Sequence, residues 1–324
     1  MKLMKTATSR ISEKEWQDLR QSFVKRGMVG GSDAGTLLGL NPYSSPINLF
    51  YKAVNREPIP NKMNIAMYNG KNLEKYVAQC WQYWGGSDQS IVDNFLQKRK
   101  VKSYKRIKAI IQNPQYPALF ANIDGMITKP KKGILEIKTI SGYSSDQYAK
   151  GVPESYFAQV QLYMLVCRLE YAEIFYMKDG RSFGLVEVEA NKEMQEAILD
   201  AANDHQQRVL AAQKEIVGYD GEDIYGVTGA FEPDVDGSDA YTYFLSEKHK
   251  ARQVEGHATV PEMEAEVIKY LNAKKEEDEL ASVKQMSGNI IKKYMEDNNV
   301  NRITAGKYNI SWRTQFRITT NFNE

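Results

Sequence analysis

Apolar residues recur along this chain with two periods, about 3.6 and two, and the places where one gives way to the other outline its helices and strands. Trp16, Leu19 and Phe23 fall at helical intervals within residues 13–26, and Lys25 and Arg26 close that run before Gly27, a residue suited to a helix end. Gly30 and Gly31 then lead into Ser32 and Asp33, both good N-cap types, and a short apolar helix. Leu73, Val77, Cys80 and Trp81 form the stripe of an amphipathic helix over residues 66–84, with Glu74 beside the stripe, either solvated or turned into a cleft. Pro153 opens a helix that is apolar almost all round and therefore buried. Gln159 and Gln161 stand about 200° apart on it, so at most one can face a given site. Residues 171–178 and 182–190 read as strands, 191–216 as a helix, 261–298 as a helical hairpin or a protein-binding helix, and 302–317 as a small basic hairpin.

The centre of the pattern is FANIDGMITKPKKGILEIKT, two strand-like runs joined by the Pro/Lys/Gly turn from Lys129 to Gly133. Alternation puts Glu136 and Lys138 on one face of the second strand and Leu135 and Ile137 on the other, and Asp124 can lie across the hairpin from Glu136. The order strand, strand, helix, strand, strand lets the buried helix make a crossover, which brings the next strand beside the Glu136 strand. The expected fold class is therefore α/β, a mixed central sheet flanked by helices. Two carboxylates meeting at one point call for a cation between them, and oxygen ligands favour a hard ion such as Mg²⁺. A lysine beside them can orient a water or a phosphate oxygen, the parts needed for metal-assisted attack on a phosphodiester. The polar stretch from Gly142 to Gly151 is a candidate wall of the cleft.

Length and charge narrow this picture. A chain of 324 residues suggests about two domains. The division read from composition is residues 1–217 as the catalytic domain, 218–240 as a linker or long loop rich in Gly and Asp, and 241–324 as a helical region ending in the basic hairpin. With 43 basic and 41 acidic residues the net charge is only +2, so any path for DNA must be a local patch. The densest positive run, KRKVKSYKRIK at residues 98–108, is either an exposed strand or a phosphate-tracking surface. Cys80 and Cys167 make no paired motif, and His205, His249 and His257 lie far from both, which argues against structural zinc and disulfides. No apolar run approaches a membrane span and the N-terminal residues are too short of apolar length for a signal peptide, so the expected location is the cytoplasm.

The spacing of Asp124 from Glu136-x-Lys138, twelve residues, resembles the PD-(D/E)XK nuclease signature. GGSDAGTLLGLNPY, GKNLEKYV, NIDGMI with LEIKT, and YFAQVQLYM also occur in the order seen in the YqaJ-like phage recombinases, relatives of lambda exonuclease. The likeness runs from about Arg20 to Met177, and the tail from about 285 to 317 is similar to the end of such phage proteins. The resemblance implies a restriction-endonuclease-like core in a bacterial cytoplasmic protein of phage or prophage origin. By the same resemblance Asp124, Glu136 and the main-chain carbonyl of Ile137 hold Mg²⁺, for which Mn²⁺ can substitute, with Glu74 supplied by the preceding helix. Lys138 is then the catalytic lysine and Gln159 the active-site glutamine. Lys25 and Ser32 align with residues that receive a terminal 5′ phosphate, and Arg26 can exchange with Lys25 by register. The family often has arginine where Lys25 stands, a two-pronged grip that lysine lacks.

The activity so implied is 5′-to-3′ exonuclease action on double-stranded DNA ends, leaving a 3′ overhang. Its partner would be a RecT-like single-strand annealing protein, and similar proteins form homo-oligomeric rings, often trimers. Two alternatives stay open: a RecB-like or structure-specific endonuclease on the same fold, and a non-catalytic adaptor for DNA ends or the annealing protein. A substrate with both ends blocked separates the two enzymes. The intact set Glu74, Asp124, Glu136 and Lys138 speaks against the adaptor.

Overall fold

The computed structural model describes residues 2–8, 11–55, 64–141, 152–221, 223–252, 258–312 and the backbone of 316–320. They fall into two compact units, Met1–Val254 and Glu255–Glu324. The polar segment 142–151 lies outside the described residues.

In the first unit, strand β1 (Met4–Ala7) precedes helix α1 (Glu13–Val24), whose N-terminus is closed by reciprocal hydrogen bonds between Ser12 and Glu15. Gly27 ends this helix region at φ +69°, a conformation that glycine adopts without cost. Strand β2 (Val29–Gly30) runs straight into α2 (Gly31–Leu37), and the cap is Gly30, so Ser32 and Asp33 stand within the first turn rather than capping it. The glycines serve close approach instead. A Cβ on Gly31 would come within 2.1 Å of the Tyr163 ring, and one on Gly35 within 2.7 Å of Ser155.

Helix α3 (Pro46–Val54) is capped by Ser45 and buries Ile47, Phe50, Tyr51, Ala53 and Val54; it was not among the expected elements, because a short segment apolar on most sides lacks a stripe. Helix α4 (Ile65–Tyr83) follows as expected, and α5 (Asp88–Leu96), which was not among the expected elements, precedes the basic run 98–108. Strands β3 (Ser103–Lys105), β4 (Ala109–Gln112), β5 (Leu119–Ala121), β6 (Gly125–Lys129) and β7 (Gly133–Ile140) come next. Helix α6 (Glu154–Cys167), strands β8 (Tyr171–Lys178) and β9 (Ser182–Glu189), and helix α7 (Lys192–Val217) complete the pattern expected from the sequence.

The main sheet has the order β3-β6-β7-β8-β9. All its pairs are antiparallel except β7 with β8, and α6 is the crossover between those two. A second sheet, β1-β4-β5-β2, contains one parallel pair, β2 with β5. The fold class is thus the expected one, mixed sheets flanked by helices. Strand β7 is covered on both sides: Leu135 and Ile137 meet Val77 and Trp81 of α4, whereas Ile134 joins the core that holds Leu162 and Met164 of α6. By alternation Glu136 and Lys138 belong to the α6 side. On β8, buried Glu173 accepts hydrogen bonds from Trp81 Nε1 at 2.6 Å, Tyr171 at 2.9 Å and Lys102 Nζ at 2.7 Å, so one lysine of the basic run is structural.

The stretch 218–240 carries α8 (Ile224–Thr228) and is pinned to α3, with the Tyr51 hydroxyl bonded to Thr228 and to Glu232. Lys248 of the next helix, α9 (Asp239–Arg252), pairs with Glu232 as well. These buried ties explain why the division between units falls at Val254–Glu255 instead of within that Gly- and Asp-rich stretch.

In the second unit α10 (Glu264–Asp297) is one continuous helix rather than a hairpin. Strands β10 (Arg302–Ala305), β11 (Tyr308–Trp312) and β12 (Phe316–Thr320) form an antiparallel meander, the expected basic hairpin with a third strand added. Among the described residues no helix is long and apolar enough to cross a membrane.

The close approach of α2 and α6 has a measurable consequence. Gly31→Ala should lower the free energy of unfolding by about 1–3 kcal/mol, the usual cost of adding volume to a filled core. Chemical denaturation measures it, and an unchanged midpoint would mean that Tyr163 yields freely.

Candidate active site

The hairpin register assembles the site. Gly125 pairs with Leu135, so Asp124, one residue before β6, comes opposite Glu136. There the Asp124 Oδ2 accepts the main-chain N–H of Ile137 at 2.9 Å. Glu136 is buried, and its Oε1 accepts hydrogen bonds from Lys138 Nζ and from Gln159 Nε2, each at 2.7 Å. Its Oε2 is buried too and meets no hydrogen-bond partner among the described residues.

Helix α6 supplies the roof. Gln159 Oε1 accepts from Lys138 Nζ at 3.0 Å, and its Nε2 also reaches the Tyr163 hydroxyl at 3.1 Å. Lys138 Nζ lies 4.5 Å from the centre of the Tyr156 ring, an arrangement that favours the cation. Gln161 points away, as the helical angle requires. Its amide bonds the Glu189 carbonyl, the Asn191 N–H and Gln195 at the start of α7, so it ties elements together.

The electrostatics follow from crowding. Burial, then the Glu136 and Glu74 carboxylates, push the Asp124 carboxyl well above its usual range, with the Ile137 N–H and Lys138 pulling against them. Burial works against the Lys138 ammonium, but Glu136 and Asp124 outweigh it and its pKa is raised. Burial also raises Glu74, a shift to which Glu136 adds and which Arg106 opposes. Arg106 Nη2 donates to Glu74 Oε1 at 2.8 Å. Among the described residues no three Asp, Glu, His or Cys side chains converge closely enough to hold a metal by themselves. The close acidic pair is Asp124 with Glu136, and Glu74 stands at its edge.

Asp124 and Glu74 border a cavity of about 460 Å³ whose other walls include Trp16, Arg20, Lys71, Arg106 and Lys108. The basic run 98–108 therefore divides: Lys102 goes to the core, and Arg106 and Lys108 reach this cavity.

Beside the residues expected to receive a phosphate stands a further cation, Arg20. The side chain that meets Ser32 is Arg20, whose Nη2 donates to Ser32 Oγ at 2.8 Å and to Asp33 Oδ2 at 3.2 Å. Lys25 is the C-cap of α1 and Arg26 lies beyond the helix. The Arg26 guanidinium lies over the Phe23 ring at 4.5 Å and donates to the Ser22 carbonyl. Arg20 was passed over because adjacent Lys25 and Arg26 were the conspicuous charges. The available signal was its place on the α1 face that carries Trp16, one turn away.

The chain matches the YqaJ-like viral recombinase domain over residues 15–170. The uncharacterized protein YqaJ of Bacillus subtilis (strain 168) is 29% identical over 309 residues, which span 94% of this chain and 84% of that protein. An alkaline exonuclease, LHK-Exo, from Laribacter hongkongensis superposes with a TM-score of 0.46 at 16% identity, covering 63% of this chain and 96% of that one. A phage-related exonuclease from Haemophilus somnus 129PT gives 0.40 at 12% identity, covering 57% and 95%. The matched residues contain Arg20, Ser32, Glu74, Asp124, Glu136, Lys138 and Gln159, and over residues 15–170 the chain is similar to the YqaJ-like viral recombinase domain.

Proposed function

We propose that the chain is a Mg²⁺-dependent 5′-to-3′ exodeoxyribonuclease that degrades double-stranded DNA from its ends and leaves 3′ overhangs for recombination by single-strand annealing. The observation that carries this reading is the buried Oε2 of Glu136, without a partner among the described residues, beside an Asp124 whose carboxyl is raised by burial and then by neighbouring carboxylates. An acidic pair so crowded has the donor set of a hard divalent cation, which Asp124 and Glu136 would hold together with the main-chain carbonyl of Ile137. Such an ion supplies charge neutralisation at the scissile phosphate and a water that ionises near neutral pH.

The chain's own residues do the rest. Lys138, its pKa raised by Glu136 and Asp124, stays an ammonium through the physiological range and acts as a hydrogen-bond donor rather than a base. Gln159 holds Lys138 with one amide atom and Glu136 with the other, fixing their separation. Arg106 and Lys108 give the cavity positive walls suited to a DNA backbone. Arg20 and Ser32 offer a guanidinium and a hydroxyl for a terminal phosphate, with Asp33 orienting the arginine. A RecT-like annealing protein and a ring of copies remain part of this proposal.

Glu136→Gln, Asp124→Asn and Lys138→Ala should each reduce hydrolysis of linear duplex by about 10²-fold or more while circular dichroism is unchanged. Mg²⁺ or Mn²⁺ should support cleavage and Ca²⁺ only binding, since its longer, looser coordination orients the water poorly. Full activity in EDTA, or wild-type turnover by Lys138→Ala, would refute the chemistry.

Metal and charge crowding can be measured without turnover. In EDTA, Asp124→Asn should melt above the wild type by roughly 2–4 °C for each kcal/mol of repulsion relieved. Mg²⁺ should then raise the melting temperature of the wild type and leave the variant unmoved; a wild type indifferent to Mg²⁺ would remove the ion from the site.

Polarity has its own test. Duplex with 5′-phosphate ends should be degraded faster than duplex with 5′-hydroxyl ends, and Arg20→Ala should cut that ratio by about 10- to 100-fold, the loss of a charged hydrogen bond of roughly 1.5–3 kcal/mol. The Lys25→Ala/Arg26→Ala double variant should keep the preference. A wild-type ratio of one would end the end-recognition reading.

A further inference from the structure

The Gln159 amide is held from three directions. Its Oε1 accepts from Lys138 Nζ at 3.0 Å, and its Nε2 donates to Glu136 Oε1 at 2.7 Å and to the Tyr163 hydroxyl at 3.1 Å. Lys138 and Glu136 are the charged groups of the site, whereas Tyr163 is uncharged.

An amide nitrogen carries two N–H groups. Gln159 is buried, so an N–H left over after the bond to Glu136 would lack both water and a protein acceptor. Tyr163 comes four residues later on α6, which puts it on the same face of the helix, and its oxygen takes that second N–H. With this bond every polar atom of the amide is engaged, and its plane cannot turn without giving up a partner.

Tyr163 is fixed in its turn. Its ring is buried and lies so close to α2 that a Cβ on Gly31 would fall 2.1 Å from it. Burial, followed by the Glu136 and Asp124 carboxylates, pushes the phenol pKa well above its usual value, so the group stays a neutral hydroxyl. Phenylalanine would fill the space beside Gly31 equally well, and packing therefore leaves the hydroxyl unexplained. Saturation is not peculiar to this glutamine, since the Gln161 amide is also fully engaged. The partners differ: Gln161 ties the end of β9 to the start of α7, whereas Gln159 spans the two groups on which the proposed hydrolysis depends.

We propose that Tyr163 is a positioning residue of the active site, whose hydroxyl sets the plane of the Gln159 amide and through it the placing of Lys138 against Glu136. Tyr163 does not touch DNA in this role. The role rests on the reading of the chain as a metal-dependent nuclease, and it gives the packing of α2 on α6 a route to the chemistry.

The test is a double-mutant cycle on the full chain, with kcat and KM measured in Mg²⁺ on 5′-phosphorylated linear duplex for the wild type, Tyr163→Phe, Gln159→Ala and the double variant. Tyr163→Phe should lower kcat by roughly three- to tenfold, the usual range for one lost neutral hydrogen bond. KM, and the ratio of rates on 5′-phosphate and 5′-hydroxyl ends, should not move. Gln159→Ala should cost more, and adding Tyr163→Phe to it should cost nothing further, since the hydroxyl then has no amide to hold. Wild-type kcat in Tyr163→Phe, a loss confined to KM or to the end preference, or losses that multiply in the double variant would overturn the proposal. Chemical denaturation of the four chains in EDTA reads the same bond without turnover. The midpoint shift caused by Tyr163→Phe should be larger in the wild-type background than in Gln159→Ala, and equal shifts overturn the proposal. The two readings fail separately: coupled shifts in a wild type that does not hydrolyse DNA sink the nuclease and leave the tie between Tyr163 and Gln159, and normal hydrolysis with an additive cycle does the reverse.

Discussion

Taking a carboxylate out of water is among the most expensive things a fold can do, and this one does it on its central strand. Glu136 is buried with only one oxygen satisfied, and much of the first unit is arranged to make that tolerable. Lys138 brings the compensating charge from two residues along the same strand, which puts it on the same face. Gln159 comes from the crossover helix, and that helix can reach over the strand because glycines in α2 let it settle close. The parallel pairing of β7 with β8 is what obliges a crossover to exist there at all.

The second buried carboxylate makes an instructive contrast. Glu173 sits one strand away on the opposite face of the sheet, and both of its oxygens are engaged, by Trp81 and Lys102 on one and Tyr171 on the other. Saturated in this way it is a structural brace. Glu136, with an oxygen left over, retains capacity for something that is not protein. Two glutamates buried to a similar degree thus separate by hydrogen-bond completeness rather than by depth.

Much of this was legible in the chain itself. The hairpin, the buried helix, its partner strands and the separation of Gln159 from Gln161 all follow from local periodicity, since each is a matter of residues a few positions apart. The pairing of Arg20 with Ser32 was not legible, because it depends on how α1 is laid beside α2. The same holds for Arg106 reaching Glu74 across thirty-two residues, and for Tyr51 gathering Thr228 and Glu232 from a stretch whose composition suggested a linker. Gly and Asp enrichment reports turn propensity and is silent about what a turn is anchored to. Short helices α3 and α5 escaped because nine residues hold too few repeats to display a period.

The hydrogen bond from the Ile137 N–H to Asp124 joins an acidic side chain to the backbone of the facing strand, and so makes the site sensitive to parity. Displacing one strand of the hairpin by a single position would send Glu136 and Lys138 to the α4 side and bring Leu135 and Ile137 under Gln159. Insertions or deletions in the turn from Lys129 to Gly133 are then not equivalent. Changes that leave the pairing of Gly125 with Leu135 intact preserve the chemistry, however many residues they add beyond the last paired rung. Those that shift it by one abolish the site while leaving a sheet of the same composition. Lineages carrying this domain should vary freely in the length of that turn and hardly at all in the spacing measured back from the rung to the acidic pair.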